Sequence, residues 1–317
     1  MKNFYLLLVG LIFCLSASAQ QTQFRVIGYV RLQNIIDGEA NKIDYSKITH
    51  LNIAFINPDP AGNFAPIFGL KTFVNKIHQN HVKVFASIGG GLAPDYYSSL
   101  LSDANRQVFT KKLAQLTELY GLDGIDVDLE GERIDANYES FITGLASALK
   151  PKGKLLTAAV ATIYKTRYTD KALAQFDFIN IMSYDKTGPW KPEIAGPHAP
   201  YQMAVEDMNY WAGEKHIAKE RLNLGLPFYG YGFGRNIPSE LSFKEVAIKY
   251  SWALNTDSVN FKGGGAFYYN GIPTIKNKTT LALQKAGGVM IWQLLQDAPG
   301  TNSLLGTINT VIKSQSN

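Results

Sequence analysis

Residues 122–131 read Leu122-Asp123-Gly124-Ile125-Asp126-Val127-Asp128-Leu129-Glu130-Gly131. Asp126, Asp128 and Glu130 alternate with Ile125, Val127 and Leu129, so in an extended strand three carboxyls share one face and three aliphatic side chains the other. The aliphatic face and the flanking glycines predict a buried strand rather than a solvated edge. Its acids then line one wall, about 6.5–7 Å apart. Like charges so spaced in a cleft cannot all ionise independently, and at least one proton is expected to be held near neutral pH. Such a row gives a core nothing and costs stability, so it points to chemistry.

Seven other stretches have an extended, largely apolar character: 24–30, 50–56, 82–88, 154–160, 178–184, 222–227 and 288–292. With 122–130 they make eight strands. Between them lie helical patterns. Residues 70–79 carry Phe73, Val74 and Ile77 on one face, 102–119 carry Val108, Leu113, Leu116 and Leu119 behind a cap at Ser102, and 137–150 carry Phe141, Ile142, Leu145 and Leu149 before Pro151. Segments 203–211, 274–286 and 303–312 supply later helices. Eight alternations of strand and helix predict an α/β fold, a single (β/α)8 TIM barrel over residues 20–317, in preference to an open doubly wound sheet. The rhythm breaks at a Pro- and Gly-bearing loop, 193–202, and again over 229–273. The second break predicts a small insertion after the seventh strand, with a helix near 243–250 and a hairpin near 266–269, forming part of the cleft wall. In such a barrel the reacting groups sit at the carboxyl ends of the strands. Glu130, just before Gly131, is therefore expected at the mouth, with Asp128 and Asp126 progressively deeper. A carboxyl beside another carboxylate and walled by aromatics has a raised pKa and suits a general acid.

The run from Asp123 to Glu130 resembles the Asp-x-x-Asp-x-Asp-x-Glu motif of the family 18 glycoside hydrolases, the chitinase family. Three further stretches match that family in the same order: Ser87-Ile88-Gly89-Gly90 is similar to its Ser-x-Gly-Gly, Met182-Ser183-Tyr184-Asp185 to its Met-x-Tyr-Asp, and Trp292 to the tryptophan ending its eighth strand. The resemblance spans about residues 24–312. It implies that Glu130 protonates a leaving glycosidic oxygen while the substrate's own acetamido oxygen attacks the anomeric carbon, the substrate-assisted exception among retaining glycosidases. Asp128 would turn toward the acetamido N–H, Asp126 would share a proton with Asp128, and Tyr184 would donate to the acetamido oxygen. Asp185 and Met182 would lie at the cleaved sugar, with Trp292 as its floor. Ser87 would bond the deeper aspartate, and Gly89 and Gly90 would let backbone approach the sugar. Tyr29 and Phe55, ending the first two strands, fit the same aromatic ring. Trp190, Tyr229, Tyr96 and Tyr97, on mouth loops, are expected to stack on sugars further along. There is one departure. Where the family often has Pro-x-Tyr-Gly-Arg, this chain has Pro227-Phe228-Tyr229-Gly230-Tyr231, leaving Arg235 as the nearest substitute.

The chain of 317 residues begins Met1-Lys2-Asn3, runs apolar over 4–15 and continues Ser16-Ala17-Ser18-Ala19-Gln20. This is the pattern of a secretory signal peptide, residues 1–19, cut after Ala19, and its apolar run is too short to span a bilayer. The only cysteine, Cys14, would leave with it, and Phe13 stands where a lipid-anchor site needs a small residue. The exported protein, secreted or periplasmic, would then rest on its core without disulfides, and 298 residues suffice for a large one. A formal charge of +5 with no Lys/Arg run gives no footprint for nucleic acid. The 17 Tyr and 4 Trp suit stacking on sugar faces. Five scattered histidines, His50, His78, His81, His198 and His216, offer no metal-ligand pair, and no serine sits in a nucleophile elbow, so no cofactor is expected. The expectation is a monomer without a membrane span whose partner is a carbohydrate, a β-1,4-linked N-acetylglucosamine polymer or oligomer cleaved with retention. Alternatives are an endo-β-N-acetylglucosaminidase acting on the chitobiose core of N-glycans, by the same chemistry, and a non-catalytic chitin-binding lectin, which the presence of all three acids disfavours.

Overall fold

The computed structural model describes residues 23–315; the expected signal peptide, its cleavage after Ala19 and Cys14 lie outside the described residues. Seven parallel strands come first: β1 (Arg25–Arg31), β2 (His50–Ala54), β3 (Lys83–Gly89), β4 (Gly124–Asp128), β5 (Leu155–Val160), β6 (Phe178–Ile181) and β7 (Leu222–Pro227). An insertion then contributes β8 (Tyr229–Phe233), β9 (Glu240–Ser242), β10 (Ser258–Asn260) and β11 (Ala266–Tyr268), paired antiparallel in the order β10-β11-β8-β9. The chain returns as β12 (Gly288–Trp292), which pairs with both β7 and β1 and closes an eight-stranded parallel barrel. This is the (β/α)8 TIM barrel expected, with crossovers joining successive strands and the pairing of β12 with β1 closing the ring. The insertion holds a four-stranded sheet where only a hairpin was anticipated. Its helix, Phe243–Lys249, opens on a capping box in which Ser242 and Glu245 satisfy each other's backbone N–H groups.

The alternation in the strands divides the interior in two. Ile125, Val127 and Leu129 belong to the core between barrel and helices, together with Leu113, Leu116, Phe141 and Leu145, all essentially inaccessible. A second cluster fills the barrel axis, with Tyr29, Phe85, Phe178, Met182, Tyr184 and Met290. One helix departs from its expected extent. It runs Arg106–Tyr120, not from 102, and the Ser102 hydroxyl turns back to the Ser99 carbonyl instead of capping it. Its buried stripe contains Phe109, Leu113, Leu116 and Tyr120, so Val108 and Leu119, each one position and about 100° away from it, face outward at 57% and 60% exposure. The larger rings of Phe109 and Tyr120 take the inward places. A short helix, Asp170–Gln175, capped by Thr169, follows β5 without having been anticipated.

The loop after β6 is fastened to the insertion from below. The buried Lys278 ammonium donates to the Ala199 carbonyl and to Asn270 Oδ1, both at 2.8 Å, and the Asn270 amide donates to that same carbonyl. Among the described residues no helix is long and apolar enough to cross a membrane.

Candidate active site

The deepest acid is Asp126. It is fully buried, and four side chains donate to it: Tyr29 at 2.6 Å and Ser87 at 2.8 Å on one oxygen, Thr157 at 2.6 Å and Asn180 at 3.3 Å on the other. Register explains two of these, because Ser87 on β3 and Thr157 on β5 are its Cα partners on either side. Burial raises the Asp126 pKa, and these four donors oppose that rise. Asp128, two residues on, has no such company. Its Oδ1 is buried without a hydrogen-bond partner among the described residues, and burial, followed by the charges of Glu130 and Asp126, holds its pKa well above the ordinary carboxylate value. Of the two aspartates, the one with fewer donors is the better proton holder.

Glu130 lies beyond the hydrogen-bonded end of β4, yet its backbone remains extended (φ −125°, ψ 156°), so the alternation reaches it. Its carboxyl is half-buried at the mouth, and a Cβ placed on Gly91 would stand 3.3 Å from its Oε1. Burial, then the negative charge of Asp185, pushes its pKa up to about 7 against the pull of Arg133. The expected gradient of three acids is present. Asp123 plays a different part: at the opposite end of the strand its carboxylate accepts from the Val84 N–H at 2.7 Å and contacts His78 Nε2 at 2.8 Å, bracing β3 and the helix Leu70–His78.

Asp185 leaves β6 in the left-handed region, φ 61°, and its Oδ1 accepts from the Tyr229 hydroxyl at 2.6 Å. Tyr184 packs edge-on against Tyr229, with its hydroxyl 3.7 Å from Met290 Sδ. Burial pushes the hydroxyls of Tyr29, Tyr184 and Tyr229 further above their usual range, so all three remain donors. Trp292 stacks on Phe55 (centroids 5.7 Å, 23°) and leans on Tyr29 at 5.5 Å. Phe55 and Trp292 bound a groove of about 580 Å³ that also involves Arg31, Gln33, Ile36 and Leu92 and reaches Gly91.

Several expected roles change. Gly89 and Gly90 both have positive φ, but a Cβ on Gly89 would meet the Asp128 carbonyl at 2.3 Å and one on Gly90 the Phe55 ring at 2.3 Å. Close packing of β4 and Phe55 therefore requires them glycine. Met182 is buried in the barrel axis. Tyr97 is core, its hydroxyl donating to Asn57 Oδ1, and Tyr96 stacks on it and donates to the Pro58 carbonyl, so neither has a free face as expected. Trp190 is 55% exposed, edge-on to Tyr231. Tyr231, where the family often has arginine, packs against His198 and Tyr229. Arg235 lies exposed in the turn beyond β8.

Sequence reading missed Thr157, Asn180, Asn57 and His198. For the first two a signal existed: each is a polar residue in the middle of an otherwise apolar strand, like Asn52 and Asn223. Asn57, whose side chain pairs both ways with the Gly89 backbone, and His198, on a loop, carried no such mark. Among the described residues no group of three or more His, Cys, Asp or Glu could hold a metal ion.

Comparison with known proteins adds three findings. The family model described as glycosyl hydrolases family 18 matches residues 25–297. A family 18 chitinase from the chitin utilization locus of Flavobacterium johnsoniae superposes with a TM-score of 0.85 at 33% identity, covering 93% of this chain and 95% of that one. A chitinase from Bacteroides thetaiotaomicron does so at 0.82 and 28%, covering 93% and 98%. A chitinase-like effector of Moniliophthora roreri is 29% identical over 232 residues, 62% of this chain, and the chain spans only 56% of that relative's length.

Proposed function

Because the chain belongs to glycosyl hydrolase family 18, we propose that it hydrolyses β-1,4-linked N-acetylglucosamine chains, chitin or its oligomers, by substrate-assisted catalysis with retained configuration. The observation that carries the reading is Glu130: a half-buried carboxyl at the barrel mouth with a pKa of about 7 is protonated in a useful fraction at neutral pH and can give that proton to a leaving oxygen. Asp126 and Asp128 rise from the same strand as Glu130, and Asp185, the carboxylate nearest from another strand, accepts from the Tyr229 hydroxyl; the family resemblance assigns the nucleophile to the substrate's acetamido oxygen. Asp128, with Oδ1 unpartnered, accepts the acetamido N–H and stabilises the oxazolinium charge. Asp126 lies behind it and, as the family resemblance implies, shares a proton with it. Tyr184 donates to the acetamido oxygen, Asp185 binds the same sugar, and Trp292 floors it, shielding the developing cation from water. Tyr29, Ser87, Gly89, Gly90 and Phe55 support this arrangement, Met182 and Tyr229 line its wall, and Trp190 stacks on a sugar further out. The family resemblance and the chitinase names of the similar structures support a chitin substrate. Export after cleavage at Ala19 belongs to the same proposal, as does a monomeric state.

The deciding experiment compares wild type with Glu130→Gln on a fluorogenic chitobioside. Hydrolysis is abolished while binding of chitin oligomers persists; unchanged turnover would overturn the assignment. Mass analysis after separate incubation with chitin oligomers and with a high-mannose glycoprotein distinguishes a chitinase from an endo-β-N-acetylglucosaminidase.

A further inference from the structure

His198 is 1% exposed, and both its ring nitrogens face oxygen. Nε2 lies 3.2 Å from the Tyr229 carbonyl and Nδ1 lies 3.3 Å from Asp185 Oδ1. A backbone carbonyl can only accept, so Nε2 carries a hydrogen. Neutral imidazole has a single N–H, which would leave the Nδ1 lone pair pointing at a carboxylate oxygen. Two acceptors on opposite sides of the ring are matched only by imidazolium. Tyr229 and Tyr231 pack against the ring, each with its centroid 5.0 Å away. Its backbone is fixed as well: the His198 carbonyl accepts from the Lys186 N–H at 2.9 Å, and the next carbonyl, of Ala199, is the one anchored by Lys278.

The titratable and charged groups around it are few. Asp185 comes from its own loop, Tyr229 and Tyr231 from β8 and Glu240 from β9; Arg31, at the end of β1, acts on Glu240 in turn. The net environment is acidic. We infer that His198 is a positioning residue, an imidazolium that pins the Asp185 carboxylate and offsets the negative charge that Asp185 presents to Glu130. The acid that Asp185 helps to keep protonated is thereby tuned through His198, and only this last step rests on the proposed role of Glu130. The charge of Asp185 is, after burial, the main influence raising Glu130, so a neutral residue at 198 lets that influence act in full.

Two measurements test this on the full protein. In nitrogen NMR of isotopically labelled wild type at neutral pH, with the His198 signals assigned by their loss in His198→Gln, both ring nitrogens carry a proton; in Asp185→Asn, which removes the acceptor charge, one of them is bare. A bare ring nitrogen in wild type overturns the inference, whether or not the protein has any activity. In the second, His198→Gln, which can still donate to the Tyr229 carbonyl, moves the basic limb of the kcat/KM profile for a fluorogenic chitobioside upward by about one pH unit. A limb that does not move overturns the link to Glu130, while absence of hydrolysis by wild type itself refutes the proposed function and leaves the NMR result standing.

Discussion

The hydroxyl of Tyr29 donates to Asp126 at 2.6 Å, tying the first strand of the barrel to the fourth at the level of the acids. Four donors thereby fill the hydrogen bonds of Asp126 and oppose the rise that burial imposes on its pKa, help that Asp128 lacks. Tyr29→Phe removes one of four donors from a buried carboxylate. Stability falls by about 1–2 kcal/mol in urea unfolding, and kcat falls on the order of 10-fold with KM little changed, because the ring that supports Trp292 is kept. Wild-type kcat in that variant would remove Asp126 from the chemistry.

Asp128 has the opposite character, buried with one oxygen unpartnered. Asp128→Asn keeps the volume and loses the charge. Turnover of acetamido sugars drops on the order of 10²-fold or more, and substrates lacking the 2-acetamido group are inert with wild type. If those substrates are cleaved equally fast, the internal nucleophile is wrong.

Glu130 links chemistry to stability. Its carboxyl titrates at about 7 in the native state against an ordinary value of 4.5. Between these values the folded protein retains a proton that the unfolded chain has released, so the stability of wild type relative to Glu130→Gln is fully present below pH 4.5 and is lost as pH rises through 7. Above that, the glutamine variant is the more stable by about 2–3 kcal/mol. Thermal melts at either end of the window check the sign, and a variant that is less stable at the alkaline end contradicts a buried, raised acid.

Gly90→Ala tests the packing under the tryptophan. At φ +89° a Cβ would stand 2.3 Å from the Phe55 ring, which itself stacks on Trp292. Displacing that pair costs about 1–3 kcal/mol of stability and raises KM more than it lowers kcat. Steady-state kinetics with unaltered KM would show that the ring pair does not hold sugar.

Lys278 is a buried ammonium whose pKa burial pushes down to about 7 from 10.5. Over that interval the unfolded chain binds a proton that the native state refuses, so wild type loses stability as pH falls from 10.5 to 7. Lys278→Met, with no such proton, is flat by comparison. Denaturant unfolding of both proteins at several pH values reads the difference, and parallel curves would mean that the ammonium is charged in the fold.

The barrel was legible because its strands are short apolar runs, three of them closed by Gly89, Gly131 and Pro227; residues 222–227 and 288–292 match β7 and β12 to the residue. The acids were legible because period-two spacing is hard to produce by accident. What escaped depended on partners distant in sequence. Thr157 and Asn180 matter only because β5 and β6 curve round to face Asp126. The end of β6 at Ile181 was hidden because Met182, Ser183 and Tyr184 continue an apolar strand pattern while the backbone turns toward Asp185. Val108 and Leu119 misled because hydrophobicity alone does not say which of two adjacent apolar residues faces inward; the rings of Phe109 and Tyr120 decided it.

Only Phe228 separates β7 from β8, and it is bolted at both ends, its N–H to the Trp292 carbonyl at 2.9 Å and its carbonyl to the Phe243 N–H at 2.8 Å. The panel bearing Tyr229 and Tyr231 is thus a fixed jamb and not a swinging door. On the proposed function, a panel held this firmly acts as a fixed edge of the cleft, and lengthening the turn at 234–239 extends that edge without touching Glu130, Asp128 or Asp126.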